Sequence, residues 1–95
     1  MPEMRFLVRW PDGATWSCYS PSLVIRDHFE VGARYTPDDF LARSRTALTI
    51  ASERVREKYG FACSRALGQL ARIEAAAESF AADPDAFVAV LAFEQ

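Results

Sequence analysis

One histidine and two cysteines in 95 residues exclude several chemistries at once. Two thiols are too few for a disulfide framework, and no paired Cys/His spacing offers a set of zinc ligands. No Gly-x-x-x-x-Gly-Lys, Gly-x-Gly-x-x-Gly or His-Glu-x-x-His stretch occurs, which closes the familiar nucleotide and zinc-hydrolase routes. No apolar run approaches the roughly 18 residues a membrane span needs. Met1-Pro2-Glu3 also lacks the basic start and apolar stretch of a secretory signal. The expectation is a soluble, cytoplasmic protein with no membrane partner, no metal and no cofactor.

What is present suits a packed core. Hydrophobic residues make up 51% of the chain and charged residues 25%, far from the profile of disordered chains. The length predicts one small domain over 1–95. Charge is uneven, although the total is only -2. Arg43 to Arg72 carries a balance of +5 and Ile73 to Gln95 a balance of -5, so the two segments can neutralise each other within the chain or between copies. The whole chain is slightly acidic and has no nucleic-acid motif, so Arg43, Arg54, Arg65 and their neighbours are not read as a nucleic-acid surface.

Met4, Phe6, Val8 and Trp10 alternate with Arg5, Leu7 and Arg9, the period of a half-buried strand. Trp10-Pro11-Asp12-Gly13-Ala14 supplies turn chemistry, with Gly13 able to take the left-handed conformation that closes a bulged hairpin. Pairing Trp10 with Ala14 sets Val8 opposite Trp16, Phe6 opposite Cys18 and Met4 opposite Ser20. Ser20-Pro21 then reads as a cap and first position of a short helix through about Phe29.

Thr36-Pro37-Asp38-Asp39 is a stronger start: a capping hydroxyl, a proline and two carboxylates where the helix dipole favours negative charge. A long helix to about Tyr59 follows, burying a stripe from Phe40 through Ser44, Ala47, Leu48, Ala51 and Val55 to Tyr59, and ending at Gly60. A second long helix, from about Ala62 to Ala81, presents Cys63, Ala66, Leu67, Leu70, Ile73, Ala77 and Phe80 on one face. Its second stripe, Gly68, Ala71, Ala75 and Ser79, is small enough for close helix approach, though alanine's helix propensity explains it as well. Asp83-Pro84-Asp85 breaks the helix, and Ala86 to Phe93 reads as a final strand.

The predicted fold is α+β: strand, strand, short helix, long helix, long helix, strand, with the helix hairpin packed on one face of a three-stranded sheet. Its far face is expected to carry Arg5, Leu7, Arg9, Tyr19, Val88, Val90 and Ala92, making Val90, with Ala75 on the small-residue stripe, the interface candidates for a homodimer.

Few residues suggest chemistry. Cys63 falls at a helix start, where the dipole can activate a thiol, yet it also lies on the apolar stripe, and its burial is the favoured reading. Cys18 faces inward and can approach it in the fold. Asp27, His28 and Glu30 do not converge on one helix face, and Asp38 with Asp39 is ordinary helix-start chemistry. Tyr19-Ser20-Pro21-Ser22 reads as a capping motif plus one surface tyrosine, with a small-anion site through its hydroxyls and free amides as the alternative. No residue is assigned a catalytic role.

Cys18-Tyr19-Ser20-Pro21-Ser22, Arg43-Ser44-Arg45-Thr46-Ala47-Leu48 and Tyr59-Gly60-Phe61-Ala62-Cys63-Ser64 together resemble a small nitrogen-starvation-response family encoded beside a nitrilase in bacterial gene clusters. The resemblance spans nearly the whole chain. It implies a bacterial cytoplasmic protein made under nitrogen limitation and linked to nitrile or cyanide assimilation. Its neighbours would be a nitrilase, a radical-SAM protein, an acetyltransferase and a flavoprotein. It implies no known activity and no catalytic residues. The leading expectation is therefore a non-enzymatic accessory or interaction protein, acting as a homodimer or with a nitrilase-cluster protein. The alternative is a small thiol-dependent enzyme or small-molecule carrier using Cys63, supported by Cys18 or by Tyr19, Ser20, Ser22 and Ser64 nearby.

Overall fold

The computed structural model describes residues 3–95. Met1 and Pro2, the opening of the segment read above as carrying no signal, lie outside the described residues. The elements are β1 (Met4–Arg9), β2 (Thr15–Ser20), a 3-10 helix (Leu23–Asp27), β3 (Arg34–Tyr35), α1 (Pro37–Tyr59), α2 (Ser64–Phe80) and β4 (Val88–Glu94). The fold is α+β.

The hairpin register is the expected one, with Met4 opposite Ser20, Phe6 opposite Cys18 and Val8 opposite Trp16. Trp10 N–H donates to Ala14 at 2.8 Å, Gly13 N–H donates to Trp10 at 2.9 Å, and Gly13 sits at φ +90°. Apolar alternation and turn chemistry select the same pairing, so neither strand can slip without moving Phe6 and Val8 out of the core.

The expectation of a three-stranded sheet is corrected: the sheet has four antiparallel strands in the order β2-β1-β4-β3. The extra strand is only two residues long, with Arg34 opposite Ala89 and Tyr35 opposite Val88. Two residues cannot display a period, so this strand leaves no mark of its own in the sequence. The short helix differs as well. Ser22, not Ser20, caps it, accepting from Val24 N–H at 3.3 Å, and it is a 3-10 helix closed by His28.

α1 forms as its capping residues dictate, whereas α2 starts at Cys63 with no side-chain cap bond. Thr36 Oγ1 accepts from Asp39 N–H, Pro37 opens α1, and Gly60 at φ +85° ends it. The buried stripe holds from Phe40 through Ala51, then fades to a half-buried Val55 and an exposed Tyr59. Length explains the fade. A helix of 23 residues spans about 34 Å, whereas a strand of six residues spans about 20 Å, so the end of the hairpin overhangs the sheet.

Val90 is also corrected. It is fully buried, at 0% exposure, and belongs with Val88, Phe6, Val8 and Phe40 in the core between sheet and helices. An unbroken apolar run carries no alternation to reveal its faces. A bulge between Leu7 and Val8 and their partners Ala92 and Val90 leaves Leu91 as the extra residue and puts Val90 and Phe93 on one face. Aromatic rings close that core, with Trp10 edge-on to Trp16 at 4.9 Å and to Phe40 at 5.4 Å.

Candidate functional site

β2 is an edge strand, so every second backbone N–H of it points away from β1. Helix α2 runs beside that edge. Gln69, in the second turn of α2 and only 5% exposed, meets it with its side chain: Tyr19 N–H donates to Gln69 Oε1 at 3.0 Å. Between strand and helix lies a groove of about 510 Å³.

Three arginines line the groove, one from β1 and two from α2. Arg5 reaches over the outer face of β2 and donates to the Ser17 carbonyl at 3.3 Å. Arg65 lies over the Tyr19 ring, its guanidinium carbon 3.9 Å from the ring centroid, with Arg5 at 6.0 Å. Arg72 donates to Gln69 Oε1 at 3.4 Å. Among the described residues no carboxylate lines the groove, but Glu3 stands at its rim, 3.9 Å from Arg65 and hydrogen-bonded to the Tyr19 hydroxyl. Burial, reinforced by a hydrogen bond to Glu3, pushes the Tyr19 hydroxyl up to about 12, so it stays protonated at neutral pH.

Of the residues singled out from sequence, Tyr19 and Ser64 meet in this groove, Ser64 as the first residue of α2. Ser20 and Ser22 do not line it and are buried, with their hydroxyls already engaged. Ser20 Oγ donates to the Ser22 carbonyl at 2.7 Å, and Ser22 Oγ accepts from Val24 N–H and from Arg54 at 2.9 Å. Ala75 is exposed on α2.

The two cysteines differ. Cys18 has 0% exposure, and burial pushes its thiol up to about 12 against the pull of Arg72 and Arg5. Cys63 is half-buried at the N-cap of α2, makes no side-chain cap bond, and donates its N–H to Ser52 Oγ at 3.3 Å. Both are free thiols. His28, the single histidine, has its carbonyl on Arg43 at 2.9 Å. Arg43 and Ser52 stand roughly 13 Å apart along α1, so the structure brings no histidine to Cys63. One ion pair joins the basic and acidic segments among the described residues, Arg45 with Glu74 at 2.8 Å between the helices.

Gln69 and the arginine trio were missed by sequence reading. Arg65, Gly68, Gln69 and Arg72 stand at spacings of three and four, so a polar stripe on α2 was visible. Arg5, distant in sequence, was not connected to it.

No helix is long and apolar enough to cross a membrane among the described residues. The family model described as nitrogen starvation-induced protein NitG matches residues 5–93. No curated protein and no solved structure matches the chain.

Proposed function

The chain belongs to the family of the nitrogen starvation-induced protein NitG, and from that premise we propose that it is a non-enzymatic accessory component of a bacterial, cytoplasmic nitrogen-starvation pathway built around a nitrilase. It works by contact, with a second copy of itself or with a protein of that cluster. The observation that carries this reading is the overhanging end of the helix hairpin. Tyr59 is 52% exposed, Phe61 69% and Leu67 48%, three large apolar side chains around a single helix connection. Burying such groups against a partner contributes on the order of 2 kcal/mol for each side chain fully covered. Ala75, exposed further along α2 on its small-residue stripe, offers a second contact toward another copy.

The test is light scattering on the purified chain, alone and mixed with the nitrilase encoded beside it, for the natural sequence and for Phe61→Asp. A dimer or a complex that Phe61→Asp dissolves supports the reading. A monomer at high micromolar concentration that ignores the nitrilase overturns it.

The thiol-dependent alternative draws support from the position of Cys63, half-buried at a helix start. It has no base beside it to rest on, since His28 is held at the other end of α1.

A further inference from the structure

We infer that the groove between β2 and α2 is a binding site for a small, multiply charged oxyanion, a ligand bearing phosphate or several carboxylates. The chain as a whole carries -2, yet Arg5, Arg65 and Arg72 converge on one concavity that no carboxylate lines among the described residues. Arginine is the side chain best suited to such a ligand, because its planar fork of N–H donors matches the oxygens of phosphate and carboxylate in pairs.

These guanidiniums are poorly occupied within the chain. Arg72 has a neutral acceptor at 3.4 Å as its hydrogen-bond partner, and Arg5 has a neutral carbonyl at 3.3 Å. Arg65 lies over the Tyr19 ring and has, among the described residues, one carboxylate partner, an exposed Glu3 at 3.9 Å. Gln69 adds a donor. Its Oε1 is taken by Tyr19 N–H and Arg72, which leaves its amide N–H groups for the groove it lines.

Gly68 leaves the space open. It stands between Arg65 and Arg72 on the same face of α2, and a Cβ there would already lie 3.7 Å from Arg72 Nη1. The volume, about 510 Å³, is in the range of small-molecule pockets. An acidic peptide pairing with β2 as an added strand is disfavoured, because Gln69 already occupies the Tyr19 N–H that such a strand would need.

This site stands apart from the partner surface at the hairpin end, and its test reads ligand binding alone. The intact chain is titrated with inorganic pyrophosphate and, separately, with citrate, ionic strength being held with sodium chloride, while the fluorescence of the tryptophans is followed; Trp16 lines the groove. Saturable binding of either probe is expected, pyrophosphate alone marking a phosphate ligand and citrate alone a polycarboxylate. Arg72→Gln and Arg65→Gln should each raise the Kd at least tenfold. Gly68→Leu, which keeps every charge, should abolish binding, while Arg56→Gln on the outer face of α1 should leave it unchanged. The assignment falls if neither probe saturates beyond the chloride control, if Arg56→Gln weakens binding as much as Arg72→Gln does, or if Gly68→Leu binds like the natural chain.

Discussion

Gln69 takes the Tyr19 backbone N–H at the edge of the sheet onto its side-chain oxygen at 3.0 Å, a bond between residues 50 apart in sequence. An edge strand otherwise invites pairing with another chain. Here one carboxamide from a helix covers one outward donor of the strand and ties α2 to it beside the groove. Gln69→Leu leaves a buried donor unpaired and should cost roughly 1–3 kcal/mol, whereas Gln69→Glu keeps an acceptor and should cost less. Urea unfolding of the two variants checks the order.

Cys18 and Cys63 should separate cleanly. Serine at Cys18 puts a hydroxyl among core side chains and should destabilise by roughly 1–3 kcal/mol. Serine at the half-buried Cys63, an N-cap position that serine suits, should be neutral or slightly stabilising. Mild iodoacetamide followed by intact-mass measurement should label Cys63 in the native protein and leave Cys18 untouched.

Stability should decline in alkali. The Cys18 thiol is raised from 9.0 to about 12 in the folded chain, so above pH 9 the unfolded state sheds this proton while the folded state keeps it. The stability the neutral thiol confers is complete below about pH 9 and is lost as pH rises toward about 12, at a slope on the order of 1 kcal/mol per pH unit. Cys18→Ala should flatten the curve, leaving the smaller loss from Tyr19, raised from 10.0 to about 12. Thermal melts from pH 8 to 11 measure both.

Gly60→Val tests the end of α1. Nothing lies within 4 Å of a Cβ at Gly60, so crowding plays no part. The left-handed φ of +85° remains, and a β-branched residue there should cost about 1–2 kcal/mol, with Gly60→Asn milder. An unchanged melting temperature for the valine variant would refute this.

Ser44 should respond in the opposite direction. Its hydroxyl is buried without a hydrogen-bond partner among the described residues. Ser44→Ala removes that group without opening a large cavity and should be neutral or stabilising by up to about 1 kcal/mol in the same unfolding assay.

What could be read from sequence was local and redundant. The hairpin register followed because the alternation from Met4 to Trp10 and the Gly13 turn point to one pairing, and α1 followed because Thr36, Pro37 and Gly60 mark both its ends. β3 escaped because two residues carry no period. Val90 was placed on the wrong face because an all-apolar strand hides its orientation and the bulge at Leu91 shifts it. The groove was the least legible feature. Tyr19 and Ser64 were both noticed, but what makes them neighbours is the packing of α2 along β2, and nothing short-range connects Arg5 to Arg72.

The order β2-β1-β4-β3 also has a meaning in time. β1 at residues 4–9 lies against β4 at residues 88–94, so the central seam of the sheet closes a loop of roughly 80 residues, a slow kind of contact to find. On the ribosome the β1–β2 hairpin emerges ahead of the helices and waits with one flank bare, and β3 has no strand to join until β4 is made. The helices alone can shelter the nascent core in that interval. A chain halted before Val88 would carry the unpaired flank of β1 into the crowd of other unfinished chains, where mispairing begins.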